Sequence, residues 1–293
     1  MVRKRLFIHP TFDCSMDKVC RDDCYLLKDK SSKEKEFRLP DEYWTDIVRL
    51  AGENGFKELS LPINPLRGVT GVKDPLYWLR LLSPVAKEYE MVINVTTTLN
   101  VAEKIEPTDN VDIIAISLDD FRKGKDWERY SKKLETATER LRSMGIETNC
   151  NLSYTPGTQI EFLFNTYSKR KYLVETFDYV TPLWPKPLKD AELLTVGAAR
   201  LIQKGESNGF SYPDLIGESD GFLEDYCMSF ARGNTSCDAG YGQLSIDAFG
   251  RLAICPYSPH GVDVSTPEKF QDYLENTLPK NKVIESCDLI DVE

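Results

Sequence analysis

The chain has 293 residues, which fits one large domain or a large domain with a small second one. Its 37 Lys and Arg residues against 47 Asp and Glu residues give a net charge of −10, which argues against a protein that coats nucleic acid. No apolar run reaches the roughly 18 residues of a membrane span, and the start of the chain is not apolar enough for a secretion signal. We therefore expect a cytoplasmic protein with no membrane partner and no general nucleic-acid binding.

Short β-rich segments alternate with helical segments over the first two thirds of the chain. The predicted strands are Arg5–His9, Lys57–Leu61, Met91–Thr96, Val111–Leu118, Ile146–Tyr154 and Asp178–Leu183. The predicted helices are Pro40–Gly52, Pro75–Tyr89, Trp127–Met144 and Ile160–Thr176. This alternation is typical of a parallel α/β fold with right-handed crossovers, whose functional site forms at the carboxyl ends of the strands.

Two segments depart from this alternation. Lys28–Phe37 is dense in charged residues and is interpreted as a solvated, flexible loop. Near the end of the chain, Gln243–Ile246 and Leu252–Ile254 flank Asp247–Gly250, a pattern that predicts a β-hairpin. We therefore predict a first domain over residues 1–205 and a smaller α+β domain over residues 206–293.

The eight cysteines fall into a front group, a back group and one isolated residue. The two groups are Cys14, Cys20 and Cys24, then Cys227, Cys237, Cys255 and Cys287. Cys150 stands alone on the fifth predicted strand and is expected in the core. Disulfides are disfavoured in a cytoplasmic protein, and zinc is disfavoured because the chain has no CxxC pair and only two histidines. Thiolates without histidine suit iron–sulfur clusters better.

The front cysteines have two interpretations. Three thiolates at the mouth of an α/β fold can hold a 4Fe–4S cluster and leave one iron open to a substrate. The alternative is a surface loop of reduced cysteines, or a partial zinc site. Neither His9 nor His260 has a sequence partner that marks it as catalytic, and we expect His9 to pack beside the cysteine loop.

Over residues 5–190, the order of features resembles the radical S-adenosylmethionine (SAM) superfamily. The cysteine loop follows the first strand and ends in Cys24-Tyr25. Four later segments resemble the family's third to sixth strand ends: VTTTLN (Val95–Asn100), ISLDD (Ile116–Asp120), NCNLSYTPGT (Asn149–Thr158) and DYVTPLWPKP (Asp178–Pro187).

The resemblance implies a partial (β/α)6 barrel in which the front cysteines ligate a 4Fe–4S cluster that binds SAM. It places SAM over the ends of the fourth and fifth strands. The residues expected to contact SAM are Tyr25, Asn64, Thr97, Ser117, Asp119 and Asn151. For Asp119 the alternative is a capping role at the start of the following helix.

The chain departs from the family pattern at two places. The front motif is Cx5Cx3C, whereas the family usually has Cx3Cx2C, so the loop geometry must differ. At the end of the second strand, where the family usually has Gly-Gly-Glu to hold the SAM amino group, this chain has Pro62-Ile63-Asn64-Pro65. Asn64 can accept a hydrogen bond from that ammonium group, but it lacks the charge of a glutamate.

The back cysteines resemble the SPASM and twitch extensions of radical SAM enzymes. Cys237-x12-Gly250-x4-Cys255 matches their Cx9–15Gx4C motif and frames the hairpin. With Cys227 and Cys287, these thiolates would fully ligate one auxiliary 4Fe–4S cluster. The alternative is a buried core thiol for Cys227 and a free thiol in the tail for Cys287.

The resemblance implies an oxidoreductase that cleaves SAM reductively to a 5′-deoxyadenosyl radical, which abstracts a hydrogen atom from a small molecule or a peptide. It also implies an electron donor such as flavodoxin or ferredoxin, and it identifies no catalytic acid or base. Because the barrel begins at residue 5, no peptide-recognition domain is expected before it. The alternatives are a peptide-modifying (RiPP-type) maturase acting with a partner subunit, and a non-catalytic iron–sulfur scaffold or redox sensor. The missing Gly-Gly-Glu favours the scaffold.

Overall fold

The structure is a computed structural model, and it describes residues 4–15, 31–118, 127–153, 172, 176–183, 242–254 and 261–278. The chain divides into two compact units. The first comprises Met1–Ile114 and Ser236–Ile284, and the second comprises Ala115–Thr235 and Glu285–Glu293. The predicted domain boundary at residues 205/206 lies outside the described residues and stays a prediction.

All six predicted strands are confirmed, with their ends shifted by a few residues. They are β1 (Arg5–Ile8), β2 (Glu58–Ile63), β3 (Val92–Thr98), β4 (Ile113–Ser117), β5 (Glu147–Ser153) and β6 (Tyr179–Leu183). Near the end of the chain follow β7 (Gln243–Ile246), β8 (Arg251–Ala253) and β9 (Val262–Asp263).

The helices at Pro40–Gly52, Pro75–Tyr89 and Trp127–Met144 are also confirmed. The described α-helices are α1 (Ser32–Glu36), α2 (Asp41–Glu53), α3 (Tyr77–Glu88), α4 (Leu99–Ala102), α5 (Trp127–Ser143) and α6 (Pro267–Asn276). A short 3-10 helix covers Pro107–Asp109. The predicted helix over Ile160–Thr176 lies almost wholly outside the described residues.

The prediction of a loop over Lys28–Phe37 is wrong for Ser32–Glu36, which form the exposed helix α1. The helix forms without any buried residue because its first turn carries a capping box. The Ser31 hydroxyl accepts from the Glu34 N–H, and the Glu34 carboxylate accepts from the Ser31 N–H. These bonds satisfy backbone donors that a helix start otherwise leaves open.

In the first unit the sheet order is β3-β2-β1-β7-β8-β9. Strand β1 lies between β2 and β7, and both pair with it in parallel. The register aligns apolar residues that are at most 1% exposed: Leu6, Leu59, Ile93 and Leu244. Helix α3 contacts β2 and β3 and packs against α2, so the apolar rows of the strands and helices form one core.

The opposite face of the same strands carries a buried polar network. Glu58 is 2% exposed and forms an ion pair with Arg5, with a distance of 2.7 Å from Nε to Oε1. The Asn94 amide and the Ser60 hydroxyl also donate to Glu58, at 2.8 and 3.2 Å. A buried carboxylate is costly unless it is paired and hydrogen-bonded, so this network ties β1, β2 and β3 together near their amino ends.

The predicted hairpin is confirmed, since β7 and β8 are antiparallel. Asp247 Oδ1 accepts from the N–H groups of Phe249 and Arg251, which fixes the turn. Gly250 has a φ of +71°, and a β-carbon there would lie 2.7 Å from Ser265 Cα, so the turn requires glycine. The hairpin extends the first unit's sheet through β7, which pairs with β1.

The second unit contains β5 and β6 in parallel, and residues 115–117 of β4, which lies beside β5. Helix α5 buries Tyr130, Leu134 and Leu141 on one stripe. Asp178 joins this helix to the sheet, because its carboxylate accepts from the Thr148 N–H at 2.8 Å and from Arg142 at 2.9 Å.

We expect Arg5→Met to lower the free energy of unfolding, because it leaves the buried Glu58 carboxylate without its cation. The loss should lie near the lower end of the about 3–5 kcal/mol typical of breaking a buried pair, since the Arg5 side chain is 39% exposed. Arg49→Met is the matched control, because its partner Asp46 is 40% exposed and the pair is worth at most about 1 kcal/mol. Urea denaturation of both variants measures the difference, and equal losses would contradict the network's role.

Candidate functional site

The carboxyl ends of β1, β2, β3 and β7 lie at one edge of the first unit's sheet, because these strands are parallel. We refer to this side as the carboxyl edge. Segments that follow parallel strands are where α/β folds form their binding sites. The segment after β1 is closely packed there: five of its residues are at most 6% exposed, namely His9, Thr11, Phe12, Asp13 and Cys14.

Cys14 is 6% exposed, and its neighbours on both sides are bonded to the segment that follows β2. The Asp13 carboxylate accepts from the N–H groups of Arg67, Gly68 and Val69 at 3.0, 2.8 and 3.0 Å. The Ser15 N–H donates to the Pro65 carbonyl oxygen at 2.7 Å. The backbone on either side of the Cys14 thiol is therefore held against a second strand end.

The hairpin turn also reaches the carboxyl edge. The Phe249 ring lies 5.2 Å from the Phe12 ring and 4.9 Å from the Phe37 ring, between centroids. The Arg251 guanidinium lies over the Phe249 ring at 4.8 Å. These contacts pack the turn between β7 and β8 against the residues that lead to Cys14.

His9 is buried in the first unit. The residue is 2% exposed, and its backbone N–H donates to the Ile246 carbonyl oxygen at 2.9 Å. Burial lowers the pKa of the imidazole to about 3, because the charged form loses its hydration. The imidazole is therefore neutral at neutral pH, and its low pKa makes it a poor general base there.

The strand ends of β2 and β3 carry Asn64 and Thr97, two of the predicted SAM contacts. Asn64 directly follows β2 and is partly exposed. Thr97 pairs in register with Ile63 and is 3% exposed, and its hydroxyl donates to the Ile63 carbonyl oxygen at 2.6 Å. The Thr97 hydroxyl therefore links the two strands.

Thr98 is a residue that the sequence analysis missed. It is 7% exposed, and its hydroxyl has no hydrogen-bond partner among the described residues. It occupies the N-cap position of α4 without making the side-chain cap bond. Strand alternation puts Thr98 on the face of Asn94 and Thr97 on the opposite face, and this alternation could have indicated Thr98 from the sequence.

In the second unit, Ser117 and Asn151 lie at or near the ends of β4 and β5. They are 7% and 6% exposed, so both are buried polar residues at neighbouring strand ends. Cys150 is fully buried on β5, which confirms the prediction of a core thiol. Burial raises the pKa of the Cys150 thiol, so it stays protonated and unreactive.

Six of the seven predicted metal ligands lie outside the described residues, namely Cys20, Cys24, Cys227, Cys237, Cys255 and Cys287. The predicted SAM contacts Tyr25 and Asp119 also lie outside them, as does His260. Within the described ranges, no group of three or more His, Cys, Asp or Glu side chains is arranged to hold a metal ion. The helices in those ranges also lack the length and apolar character that crossing a membrane requires.

No family model matches the chain. No curated protein matches it either. Among solved structures, tagged anSMEcpe with bound AdoMet matches with a TM-score of 0.52 and 13% identity, over 95% of this chain and 78% of that chain. Native anSMEcpe with bound AdoMet and a peptide matches with a TM-score of 0.50 and 13% identity, over 94% and 81%. At this identity the likeness is one of fold: an α/β chain with a parallel sheet, consistent with a partial TIM-like barrel.

The low pKa of His9 makes the stability of the apoprotein depend on pH. In the unfolded chain the imidazole gains a proton below about pH 6.5, whereas in the folded chain it does so only near the lowered pKa of about 3. The stability due to neutral His9 is therefore complete above about pH 6.5 and falls by about 1.4 kcal/mol per pH unit below it. Between pH 7.5 and pH 5 the wild type should lose about 2 kcal/mol more than His9→Gln. If urea denaturation shows the same loss in free energy of unfolding for the wild type and for His9→Gln, the lowered pKa of His9 is not its cause.

Proposed function

We propose that this protein is a radical SAM enzyme. The observation that carries the proposal is the Cys14 segment: a buried thiol in the segment that follows the first strand of a parallel sheet, with both neighbouring residues bonded to the segment that follows the second strand. The similarity in fold between this chain and anSMEcpe with bound AdoMet supports the same function. We propose Cys14, Cys20 and Cys24 as the ligands of a 4Fe–4S cluster that leaves one iron for SAM.

The described residues fit such a ligand at the carboxyl edge. The Cys14 thiol is buried on a fixed backbone, and the buried Thr98 hydroxyl has no described partner, as expected beside a polar ligand. Asn64 offers an amide oxygen to the SAM ammonium group. Tyr25 and Thr97 stay predicted contacts of the same ligand, although the Thr97 hydroxyl already donates to the Ile63 carbonyl oxygen. When bound, the reduced cluster supplies the electron that breaks the sulfonium C–S bond of SAM, giving the radical that takes hydrogen from the substrate.

In the second unit we propose that Ser117, Asp119 and Asn151 hold the adenine and ribose of SAM. Ser117 and Asn151 are buried polar residues at or near the ends of β4 and β5, and their hydroxyl and amide groups can donate and accept hydrogen bonds. An Asp119 carboxylate oxygen can accept from a ribose hydroxyl. The protein's contribution is to orient SAM and to exclude water from the radical.

We propose that Cys227, Cys237, Cys255 and Cys287 ligate an auxiliary 4Fe–4S cluster. Four thiolates would leave this cluster no open iron, so substrate could not bind to it. The cluster would then act at a distance, by accepting the substrate's second electron, and the net reaction would be an oxidation.

A peptide substrate is the second candidate within this function, with the protein acting as a peptide maturase together with a partner subunit. The observation that favours it is the fold likeness to anSMEcpe with bound AdoMet and a peptide. A small-molecule substrate is the alternative. Both need an external one-electron donor of the flavodoxin or ferredoxin type.

The iron content of the protein tests the metal sites. Anaerobically reconstituted protein should carry about eight irons per chain, from two 4Fe–4S clusters. A variant with Cys14, Cys20 and Cys24 all changed to Ala should keep about four, because only the auxiliary ligands remain. Colorimetric iron analysis, with zinc measured in parallel by mass spectrometry, gives the result. Stoichiometric zinc without iron would contradict the proposal.

A further inference from the structure

The carboxylate of Asp13 is enclosed in the protein one residue before Cys14. It is 0% exposed, and its two oxygens accept three consecutive backbone N–H groups, those of Arg67, Gly68 and Val69. Successive N–H groups that point to one anion form a backbone nest. Charge-assisted bonds of this kind are stronger than neutral ones and offset part of the cost of burying the charge.

The nest depends on the backbone conformation at Gly68. Its φ is +85°, in the left-handed region that L residues rarely adopt, and a β-carbon there would lie 3.2 Å from Lys73 Cγ. Glycine at this position therefore lets the chain turn its amides toward Asp13. The Gly71 N–H donates to the Gly68 carbonyl oxygen at 3.1 Å and closes the turn behind the nest.

The bonds around Cys14 leave its backbone little freedom. The Asp13 N–H donates to the Thr11 hydroxyl at 2.9 Å, and the Ser15 N–H donates to the Pro65 carbonyl oxygen at 2.7 Å. Cys14 thus lies between two residues bonded to the segment after β2. That segment begins with Asn64, so the same bonds hold the backbone around Cys14 against the segment that carries the Asn64 amide.

From this geometry we infer that Asp13 is the positioning residue of the front metal site, which orients the Cys14 thiolate and holds the Asn64 segment beside it. The inference rests on the proposed function. Asp13 does not touch the ligand; it acts through the backbone of Cys14 and through the nest. Residues that orient metal ligands in this way typically change metal affinity by roughly 10–100-fold when they are replaced.

The test compares Asp13→Asn with Asp109→Asn in the full-length, reconstituted protein. Asp109 is the matched control, because it is a 2% exposed carboxylate in the same unit that accepts from the Glu106 N–H and from Arg80. The front iron is defined as the iron that the wild-type protein binds and the Cys14→Ala variant does not. Asp13→Asn should bind it roughly 10–100-fold more weakly in competition with a ferrous chelator, and Asp109→Asn should not.

A second pair keeps the test valid if Asp13→Asn does not fold. Gly68→Ala strains the nest at a position far from Cys14 in the sequence. Gly55→Ala is the matched control, because it places a β-carbon at a similar φ of +79° with nothing within 4 Å. Gly68→Ala should weaken front-iron binding and shift the electron paramagnetic resonance signal of the reduced front cluster, and Gly55→Ala should do neither. Thermal unfolding of each apoprotein separates a loss of stability from a loss of metal affinity.

The outcomes are distinguishable. Wild-type protein that binds no iron would overturn the proposed function and this inference together. Wild-type protein that binds iron, with Asp13→Asn and Asp109→Asn equal in chelator competition, would overturn the inference alone and leave Asp13 as a stabilising residue only.

Discussion

The parallel pairing of β1 with both β2 and β7 is the constraint on which the rest of the first unit depends. Because β1 is flanked on both sides, its carboxyl end lies between two other strand ends. The residues that follow it, through Cys14, are therefore enclosed by the segment after β2 and by the hairpin turn after β7. A thiol that follows an edge strand would have no such enclosure.

One face of the first unit's strands is polar, whereas the opposite face belongs to the apolar core. Glu58, Ser60, Asn94 and Thr98 lie on the polar face. Near the amino ends, the polar groups bond to one another and to Arg5. At the carboxyl edge, the Thr98 hydroxyl has no partner among the described residues. The polar groups thus stabilise one end of this face and leave a hydrogen-bonding group at the other, where a ligand would bind.

The strands and the long helices could be predicted because their periodicity is local: α2 and α3 each carry an apolar stripe, and the strands are short apolar runs. Helix α1 was missed because it buries nothing, and only its Ser31 and Glu34 capping pair indicates it. The pairing of β7 with β1 could not be read from the sequence, since it joins residues more than two hundred positions apart.

The candidate site shows the same limit of sequence reasoning. The position of Cys14 after β1 followed from the order of the elements. Thr98 is an exception: it was missed, although strand alternation, which places Thr97 and Thr98 on opposite faces, could have indicated it. The role of Asp13 depended on a contact with Gly68, 55 positions away, that no local pattern encodes.

Formation of 5′-deoxyadenosine tests the central claim most directly. Reconstituted protein incubated anaerobically with SAM and dithionite, and analysed by liquid chromatography and mass spectrometry, should release 5′-deoxyadenosine. The Cys14→Ala variant, which lacks one front ligand, should release none. Wild-type protein that carries its iron but leaves SAM intact under these conditions would contradict the account and would favour a non-catalytic iron–sulfur scaffold.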